Sequence, residues 1–379
     1  MTFTILQPAQ ILFGRGQAAQ AVRIAHSFGP RGIVVHGANP ARSAELIQAL
    51  GPGTLPLPCA TEPTLAMLEQ ATDIARAHHP DWVLAIGGGA VLDLGKALAA
   101  MIPAPGGAMD HLEVVGKALP LHTAPLPFVA LPTTAGTGAE VTKNAVIGLP
   151  EGVTGGGRKV SLRDDRMIAR AAIIDPALTD GCPWPVTLAS GLDAVTQVIE
   201  PYVSHKATFY TDAIALPVIA PGLRALMRLH RGEDPAARDT LAWASLCGGL
   251  ALANAGLGAV HGFASVIGGA TGAPHGAICG ALLGPVLKMN RARSTGEAHT
   301  RLDHVCMLLA EVLGCSAQAA PETLANWAHG AGLPRLSALG VKAEDHAAIA
   351  SSAETASSTK GNPVVLGHED LCEVLSAAG

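Results

Sequence analysis

Apolar and polar positions change their period once along the chain, near residue 180. Before that point, short β-rich runs alternate with stretches whose apolar residues recur at helical spacing. The predicted strands are GIVVHG (32–37), DWVLAIGGG (81–89), PFVALPTTAGTG (127–138) and AAIIDPALT (171–179). The predicted helices between them cover 41–50, 67–80 and 90–102. Because strands that alternate with helices pair in parallel through right-handed crossovers, the pattern predicts an α/β domain with a parallel sheet over residues 1–180.

Beyond residue 180 the pattern favours helices alone, with proline and glycine at the joints between them. The predicted helices cover 185–203, 212–229, 239–258, 300–315 and 321–330. This half predicts an all-helical domain over residues 181–379, and a cleft between the two domains is the expected place for an active site.

Composition narrows the class of function. Charged residues make up only 15% of the 379 residues, the net charge is −5, and lysines and arginines do not cluster, so a nucleic-acid partner is not expected. No uncharged run is convincing as a membrane span. Seven scattered cysteines without a CxxC pair favour reduced thiols in a cytoplasmic protein over disulfides or a zinc knuckle. A small anionic substrate or cofactor remains compatible with this composition.

The first chemical signal is the stretch IGGGAVLDLGKA (86–97). Gly87, Gly88 and Gly89 lie between a predicted strand and a helix, where backbone N–H groups can approach an anion and the helix N-terminus favours negative charge. The motif is neither GxGxxG nor a P-loop, and a structural turn is an equally good interpretation. Asp93 and Lys96 follow on the helix; Asp93 is a candidate for cofactor binding, and a surface ion pair is the alternative.

A second polar loop, PTTAGTGAEVT (132–142), strengthens the prediction of a nucleotide site. Thr133, Thr134 and Thr137 supply hydroxyl groups there. Two such loops on one parallel sheet converge at its carboxyl edge, as in Rossmann-like folds, so a pyrophosphate-bearing cofactor is the better interpretation. Lys159 follows shortly and is a candidate for cofactor contact and catalysis, with an ordinary exposed lysine as the alternative.

The end of the first predicted strand bears on the type of cofactor. The segment HGANPARS (36–43) offers Gly37 and Asn39 but no acidic residue for a ribose 2′-hydroxyl. Arg42 is a candidate for a 2′-phosphate. The prediction is therefore NAD(P), with a weak preference for NADP.

Polar residues in the helical half suggest a metal site. Asp193 and Gln197 lie one turn apart in GLDAVTQVIE, so they share a helix face. His261 and His275 are each followed by glycine in apolar surroundings. An aspartate and two histidines form a reasonable ligand set for Zn²⁺ or Fe²⁺, with the Gln197 amide oxygen as a harder, weaker fourth ligand. Histidines that are hydrogen-bonded within the core are the alternative.

Five motifs, taken in this order, resemble the iron-containing (group III) alcohol dehydrogenases, which have a dehydroquinate-synthase-like fold. They are FGRG (13–16), GGGAVLDLGK (87–96), LPTTAGTGAEVT (131–142), GLDAVTQVIEPYVS (191–204) and AVHGFASVIGGATGAPHGA (259–277). The resemblance covers nearly the whole chain. It implies an NAD(P)-binding domain, a helical domain with a divalent metal, hydride transfer to or from a small alcohol or aldehyde, and a homodimer or higher homo-oligomer.

The chain departs from this family at three matched positions. The second family metal ligand, a histidine, falls on Gln197, and the acidic residue that selects NAD falls on Gly37. A histidine with a proton-relay role falls on Ser265, which becomes a candidate catalytic residue because a hydroxyl group can pass a proton through hydrogen bonds. The Gln197 position leaves three interpretations open: binding through the amide oxygen, binding through three residues and water, or loss of the metal. A maleylacetate-reductase-like enzyme with little metal dependence and a catalytically silent nucleotide-binding protein are the alternatives, with dehydroquinate-synthase-like lyase chemistry less favoured.

Overall fold

A computed structural model of the chain describes residues 2–149 and 158–379. The described chain forms two compact units. The sheet unit holds Leu6–Thr134 and Ala139–Thr179, and the helical unit holds Asp180–Gly379, the residues up to Ile5 and the short segment Ala135–Gly138. The polypeptide therefore enters the helical unit briefly, in the middle of the sheet unit's sequence.

The sheet unit is built on a parallel sheet with the strand order β1-β8-β5-β4-β2-β3. Its strands are β1 (Gln10–Phe13), β2 (Gly32–His36), β3 (Thr54–Pro58), β4 (Trp82–Gly87), β5 (Phe128–Pro132) and β8 (Ala171–Ile174). A separate antiparallel hairpin pairs β6 (Asn144–Leu149) with β7 (Arg158–Arg163). The predicted parallel α/β architecture is confirmed.

Both faces of the parallel sheet are covered, which explains the continuous apolar strand sequences. Along β2, Ile33 and Val35 enter the core on one face, whereas Val34 joins Trp82 in the core on the other. The α-helices among the described residues of this unit are α1 (Ala21–His26), α2 (Ala44–Leu50), α3 (Leu65–His78) and α4 (Gly89–Met101). The apolar runs therefore position the polar strand ends by burying everything before them.

The helical unit contains no strand among its described residues, as the sequence predicts. Its longer helices are α5 (Trp184–Val203), α6 (Phe209–Ala215), α7 (Ile219–Arg231), α8 (Pro235–Ala255), α9 (Ala259–Thr271), α10 (His275–Arg293), α11 (Gly296–Leu313), α12 (Ala320–Gly330), α13 (His346–Thr355) and α14 (His368–Ala378). Helix α5 is central: it is buried over most of its length and packs against α8 and α10.

Small residues allow very close packing around α5. A Cβ on Gly138, which has a φ of 60°, would lie 2.4 Å from the Gly249 Cα of α8 and 3.3 Å from Gln197 Oε1. A Cβ on Gly136 would lie 2.8 Å from that of Ser190, and one on Gly248 would lie 2.9 Å from that of Gln197. The segment Ala135–Gly138 is thus an integral part of the packing of the helical unit.

One predicted helix is broken. The stretch predicted as a helix over 212–229 consists of α6, a 3₁₀ turn at Leu216–Val218 and α7. Pro217 lies inside that turn, and a proline cannot donate the backbone hydrogen bond that a continuous helix needs.

Taken across this turn, Phe209–Arg231 is the one single stretch among the described residues that is long and apolar enough for a membrane span. Half of its most apolar window is buried inside the protein, as in the core helix of a globular domain.

Candidate metal centre and cofactor site

Three of the predicted cofactor-binding segments meet at one edge of the parallel sheet. Strand β2 ends beside β4, with His36 opposite Ile86, and β4 ends beside β5, with Gly87 opposite Pro132. The strand order reverses between β2 and β4, because β3 lies on one side of β2 and the later strands on the other. Such a reversal opens a crevice at the carboxyl ends of the strands, where nucleotides bind in α/β folds.

The glycine loop leads directly into helix α4. Gly88 precedes the first helical residue, and no side chain caps this helix end. The Val91 N–H donates to the Gly88 carbonyl at 3.0 Å, so the N–H groups of Gly89 and Ala90 are the ones available to an anion. The Thr133 N–H donates a 2.9 Å hydrogen bond to the Gly87 carbonyl, which joins the two predicted loops. A Cβ on Gly88 would lie 3.5 Å from Thr134 Oγ1, in ordinary contact, so this hydroxyl lines the same turn.

Asp93 and Lys96 are not a surface ion pair. The Lys96 side chain is fully buried, and its ammonium group donates to the carbonyls of Ala139 (2.7 Å) and Asn144 (2.8 Å) and to Thr142 Oγ1 (3.0 Å). Burial lowers the pKa of Lys96 to about 8, against the opposing effect of the nearby carboxylates. The Asp93 carboxylate accepts from the Val146 N–H at 3.1 Å. These two residues attach helix α4 to the hairpin side of the sheet unit.

The residues at the end of β2 are open to solvent. Nothing lies within 4 Å of a Cβ placed on Gly37. The Asn39 side chain accepts from the Ala41 N–H at 3.1 Å and caps the short 3₁₀ turn Pro40–Arg42. Gly37 therefore offers space for a ribose substituent, while the Asn39 side-chain oxygen already has a local partner.

Lys159 lies on β7, opposite Gly148 of β6. Its side chain is only 12% exposed and forms an ion pair with Glu62, so it differs from an ordinary exposed lysine. Its predicted catalytic and cofactor roles remain predictions.

Three predicted metal-binding residues converge in the helical unit, together with a fourth donor that sequence reasoning missed. Asp193, His261, His275 and Cys279 each present a donor atom, and these atoms all lie within 4.8 Å of one another. His261 Nε2 is 3.2 Å from Asp193 Oδ1, and Cys279 Sγ is 3.6 Å from His275 Nε2. Asp193, His261 and Cys279 are buried, whereas His275 is partly exposed. The cluster can hold a divalent cation with one side accessible.

Gln197 lies beside this cluster, and its side chain is held by a hydrogen bond to Asp193. Its amide nitrogen donates to Asp193 Oδ1 at 3.2 Å. Among the described residues, Gln197 Oε1 has no hydrogen-bond partner although it is buried. Leaving a buried amide oxygen without a partner costs about 1–3 kcal/mol. Such an oxygen is commonly a sign of a bound group.

Glu200, one turn beyond Gln197 on α5, orients His261. Its carboxylate accepts from the backbone N–H groups of Gly258 (2.9 Å) and Val260 (2.8 Å) at the N-terminus of α9. It also lies 2.7 Å from His261 Nδ1. A hydrogen bond at Nδ1 directs the other ring nitrogen, Nε2, towards Asp193, and such second partners of metal-binding histidines fix the ring and its tautomer.

The electrostatics favour a cation in this cluster. Burial alone would lower the pKa of His261, but its interactions with Cys279 and the Glu200 carboxylate and its hydrogen bond to Asp193 raise it well above its usual value. Burial would raise the pKa of Asp193, but hydrogen bonding to His261 and the charge of His275 lower it. The donor groups thus form a buried cluster in which either a proton or a metal ion can lie between Asp193 and His261.

Ser265 lies on α9, one turn after His261, but its hydroxyl donates to the Gly262 carbonyl at 2.9 Å within its own helix. Its predicted relay role remains a prediction. The missed residue, Cys279, follows His275 by four positions in HGAIC, and this spacing in the sequence was the available signal.

Comparison with known proteins agrees with this architecture. The family model "Iron-containing alcohol dehydrogenase" matches residues 8–176, and the model for the C-terminal part of the Fe-containing alcohol dehydrogenase family matches residues 187–379. An NAD-dependent methanol dehydrogenase from Bacillus methanolicus is 33% identical over 347 residues, which cover 89% of this chain and 86% of that protein.

Two further relatives have other named activities. A lactaldehyde reductase from Escherichia coli K12 is 32% identical, over 92% of this chain and 88% of its own length. The crystal structure of a 1,3-propanediol oxidoreductase superposes with a TM-score of 0.87 at 26% identity and covers 100% of both chains. With both halves matched in order, a shared fold and relatives above 30% identity over most of the chain, this protein belongs to the iron-containing alcohol dehydrogenase family of oxidoreductases.

Proposed function

We propose that the protein transfers hydride between NAD(P)(H) and a small alcohol or aldehyde, and that a divalent metal polarises the substrate oxygen. The convergence of Asp193, His261, His275 and Cys279 carries this proposal, because these donors suit Zn²⁺ or Fe²⁺ and their donor atoms all lie within 4.8 Å of one another. The unpartnered Gln197 Oε1 beside them supports a bound group at this place.

The roles of the residues follow from their positions. The N–H groups at the start of α4 and the Thr134 hydroxyl would bind the cofactor pyrophosphate, and the space at Gly37 would receive the adenosine ribose. Asp193, His261 and His275 would hold the metal, and Glu200 fixes the orientation of His261. When bound, the nicotinamide supplies or accepts the hydride and the metal stabilises charge on the substrate oxygen.

Several finer features are part of the proposal. The absence of an acidic side chain at Gly37 supports use of NADPH, alone or beside NADH. Lys159 and Ser265 are proposed as residues that assist catalysis. A homodimer or larger homo-oligomer and a cytoplasmic location follow from the family resemblance and from the reduced cysteines, all seven of which are free.

Metal analysis and kinetics on the purified protein would test the function. We expect bound divalent metal, oxidation of NADPH or NADH with members of an aldehyde panel, and loss of turnover after chelation with recovery on readdition of Zn²⁺ or Fe²⁺. Full turnover by metal-free protein would contradict the metal-assisted mechanism. Failure to bind any nicotinamide nucleotide would contradict the oxidoreductase proposal altogether.

One observation favours a second candidate, a maleylacetate-reductase-like enzyme with little metal dependence. Asp193 Oδ1 already has two partners within the protein, Gln197 Nε2 and His261 Nε2, so its charge is stabilised without an ion. Maleylacetate is therefore included in the substrate panel. Chelator-resistant reduction of maleylacetate would favour this candidate over the first.

Replacing Gly88 by alanine should weaken cofactor binding and leave the fold intact. The backbone there (φ −75°, ψ −177°) suits any residue and the added Cβ meets only ordinary contacts, but it occupies the approach of the pyrophosphate. We expect the KM for NAD(P)H to rise about tenfold, equivalent to about 1.4 kcal/mol. The matched variant Gly87→Ala, whose Cβ would lie 2.5 Å from Val91, should instead lower the melting temperature. An unchanged KM in Gly88→Ala would place the pyrophosphate elsewhere.

Replacing Gly37 by aspartate should shift the cofactor preference towards NADH. The side chain fits into open space, where its carboxylate can accept from a ribose 2′-hydroxyl and repel a 2′-phosphate. We expect the ratio of kcat/KM for NADH over that for NADPH to rise at least about tenfold. Gly37→Ala, which adds bulk without charge, is the control. Equal shifts in both variants would refute the electrostatic explanation.

Replacing Glu200 by glutamine should weaken metal binding without removing a ligand. The amide cannot accept from both backbone N–H groups and from His261 as the carboxylate does. We expect metal affinity to fall by about 10- to 100-fold, as is typical for second partners of ligating histidines. Titration calorimetry with Zn²⁺ checks this, with the exposed Glu311→Gln as the control. Unchanged affinity would mean that Glu200 only caps α9.

A further inference from the structure

We propose that Cys279 is a metal ligand and takes the coordination position that Gln197 does not fill. The inference rests on the proposed metal-assisted function and concerns which side chains of this chain bind the ion. It assigns an Asp–His–His–Cys ligand set, which would prefer Zn²⁺ over Fe²⁺.

The position of Cys279 on its helix places the thiol next to the other donor groups. It follows His275 by one helical turn on α10, so both side chains project from the same face. The Cys279 side chain is fully buried, and its sulfur lies within 4.8 Å of the donor atoms of Asp193, His261 and His275. The thiol therefore faces the inside of the cluster.

The distances between the donor atoms match those between ligands of one tetrahedral ion. Around a tetrahedral Zn²⁺ with Zn–N of about 2.0–2.1 Å and Zn–S of about 2.3 Å, a nitrogen and a sulfur ligand lie about 3.6 Å apart, and a nitrogen and an oxygen ligand about 3.4 Å apart. The separation of Cys279 Sγ and His275 Nε2 is 3.6 Å, and that of His261 Nε2 and Asp193 Oδ1 is 3.2 Å. Both pairs have the spacing of adjacent ligands on one ion.

The hydrogen bond of Gln197 indicates that this side chain positions Asp193 and is not itself a ligand. Its Nε2 donates to Asp193 Oδ1, so the amide holds the carboxylate in place. An inverted amide would bring its oxygen against that carboxylate. An amide oxygen is also a hard, weak donor for Zn²⁺ or Fe²⁺, whereas a thiolate is a strong one. Gln197 is thus a positioning residue for Asp193, and Cys279 supplies the fourth strong donor.

Binding of the ion by Cys279 requires only the loss of the thiol proton. The thiol proton of Cys279 is released to solvent as the sulfur binds the ion, and no oxidation state changes. With a thiolate in place of a neutral imidazole, the ligand set carries one more negative charge and is softer. Selectivity for Zn²⁺ over Fe²⁺ follows from both properties.

Cobalt substitution tests the assignment directly. The chelated full-length protein is reloaded with Co²⁺, and we expect a sulfur-to-cobalt charge-transfer band in the near ultraviolet. Cys279→Ser and Cys279→Ala should lose that band and bind Zn²⁺ on the order of 100-fold more weakly, with circular dichroism to check folding. The control Cys306→Ala removes another buried thiol, on α11, and should keep both band and affinity. In the double variant Gln197→His with Cys279→Ser, we expect Zn²⁺ affinity to recover without the band.

The outcomes separate the inference from the function on which it rests. Stoichiometric Co²⁺ without a charge-transfer band, or full Zn²⁺ affinity in Cys279→Ser, would overturn Cys279 as a ligand and leave the metal-assisted function standing. Failure of the parent protein to bind Co²⁺ or Zn²⁺ at all would overturn both.

Discussion

Asparagine in place of Asp193 is expected to reduce kcat/KM by at least about 10³-fold. The carboxylate is buried, lies 3.2 Å from His261 Nε2 and is the anionic oxygen donor among the residues of the metal cluster. The isosteric amide keeps the shape but removes the charge that would hold the proposed ion, and loss of a Lewis acid costs several kcal/mol of transition-state stabilisation. Steady-state kinetics and metal analysis of the same preparation measure the effect.

The control for this variant is Glu311→Gln, which removes one negative charge from an exposed ion pair with Arg224. It should have wild-type activity because exposed pairs contribute little. If Asp193→Asn kept normal turnover while folding normally, the metal-assisted mechanism would fail. If it lost metal but kept reduction of maleylacetate, the metal-independent candidate would replace it.

Methionine in place of Lys96 is expected to destabilise the sheet unit by about 3 kcal/mol or more. The substitution keeps the length and buried stem of the side chain but leaves the carbonyls of Ala139 and Asn144 and the Thr142 hydroxyl without their shared donor. A hydrogen bond from a charged group contributes about 1.5–3 kcal/mol, and Lys96 makes three of them, whereas the Thr142 hydroxyl and the Ala139 carbonyl keep their mutual 3.3 Å hydrogen bond. For a unit of this size the melting temperature should fall by about 6–12 °C, measured by calorimetry.

Lys117→Met is the matched control, because Lys117 is an exposed lysine paired with Asp110. Its melting temperature should fall by no more than about 4 °C, since exposed ion pairs contribute about 0–1 kcal/mol. A small effect in Lys96→Met, comparable to that of Lys117→Met, would mean that the three acceptors find other donors after the substitution.

Local patterns predicted the central strands and most helices but missed the edges of the sheet. Strands β2, β4 and β5 are buried on both faces, so their sequences are continuously apolar and easy to identify. Strand β3, TLPLP, is an edge strand with two prolines, which a sheet tolerates only there. Strand β1 at the other edge, QILF, contains no fully buried residue, so it lacks the continuous apolar sequence of the central strands.

The residues of the candidate site show the same limit. Glycine loops and histidines are visible in the sequence because their types are unusual in apolar surroundings. The burial of Lys96 was not visible, since its acceptors lie more than forty residues downstream and only the fold brings them to its side chain. For Cys279 the spacing of four residues after His275 is a weak signal, because a cysteine in an apolar helix is usually a buried thiol, and the proximity of Asp193 and His261 in the fold gives it another role.

The short segment Ala135–Gly138 limits how this protein can be divided genetically. A gene fragment that starts at Asp180 would encode every long helix of the helical unit but not the four residues that pack against Ser190, Gly249 and Gln197. The two halves are therefore not exchangeable cassettes. Recombination between relatives at the apparent boundary would combine a loop from one parent with helices from the other, and close contacts to backbone, such as that of Gly138 with Gly249, leave little room for mismatch.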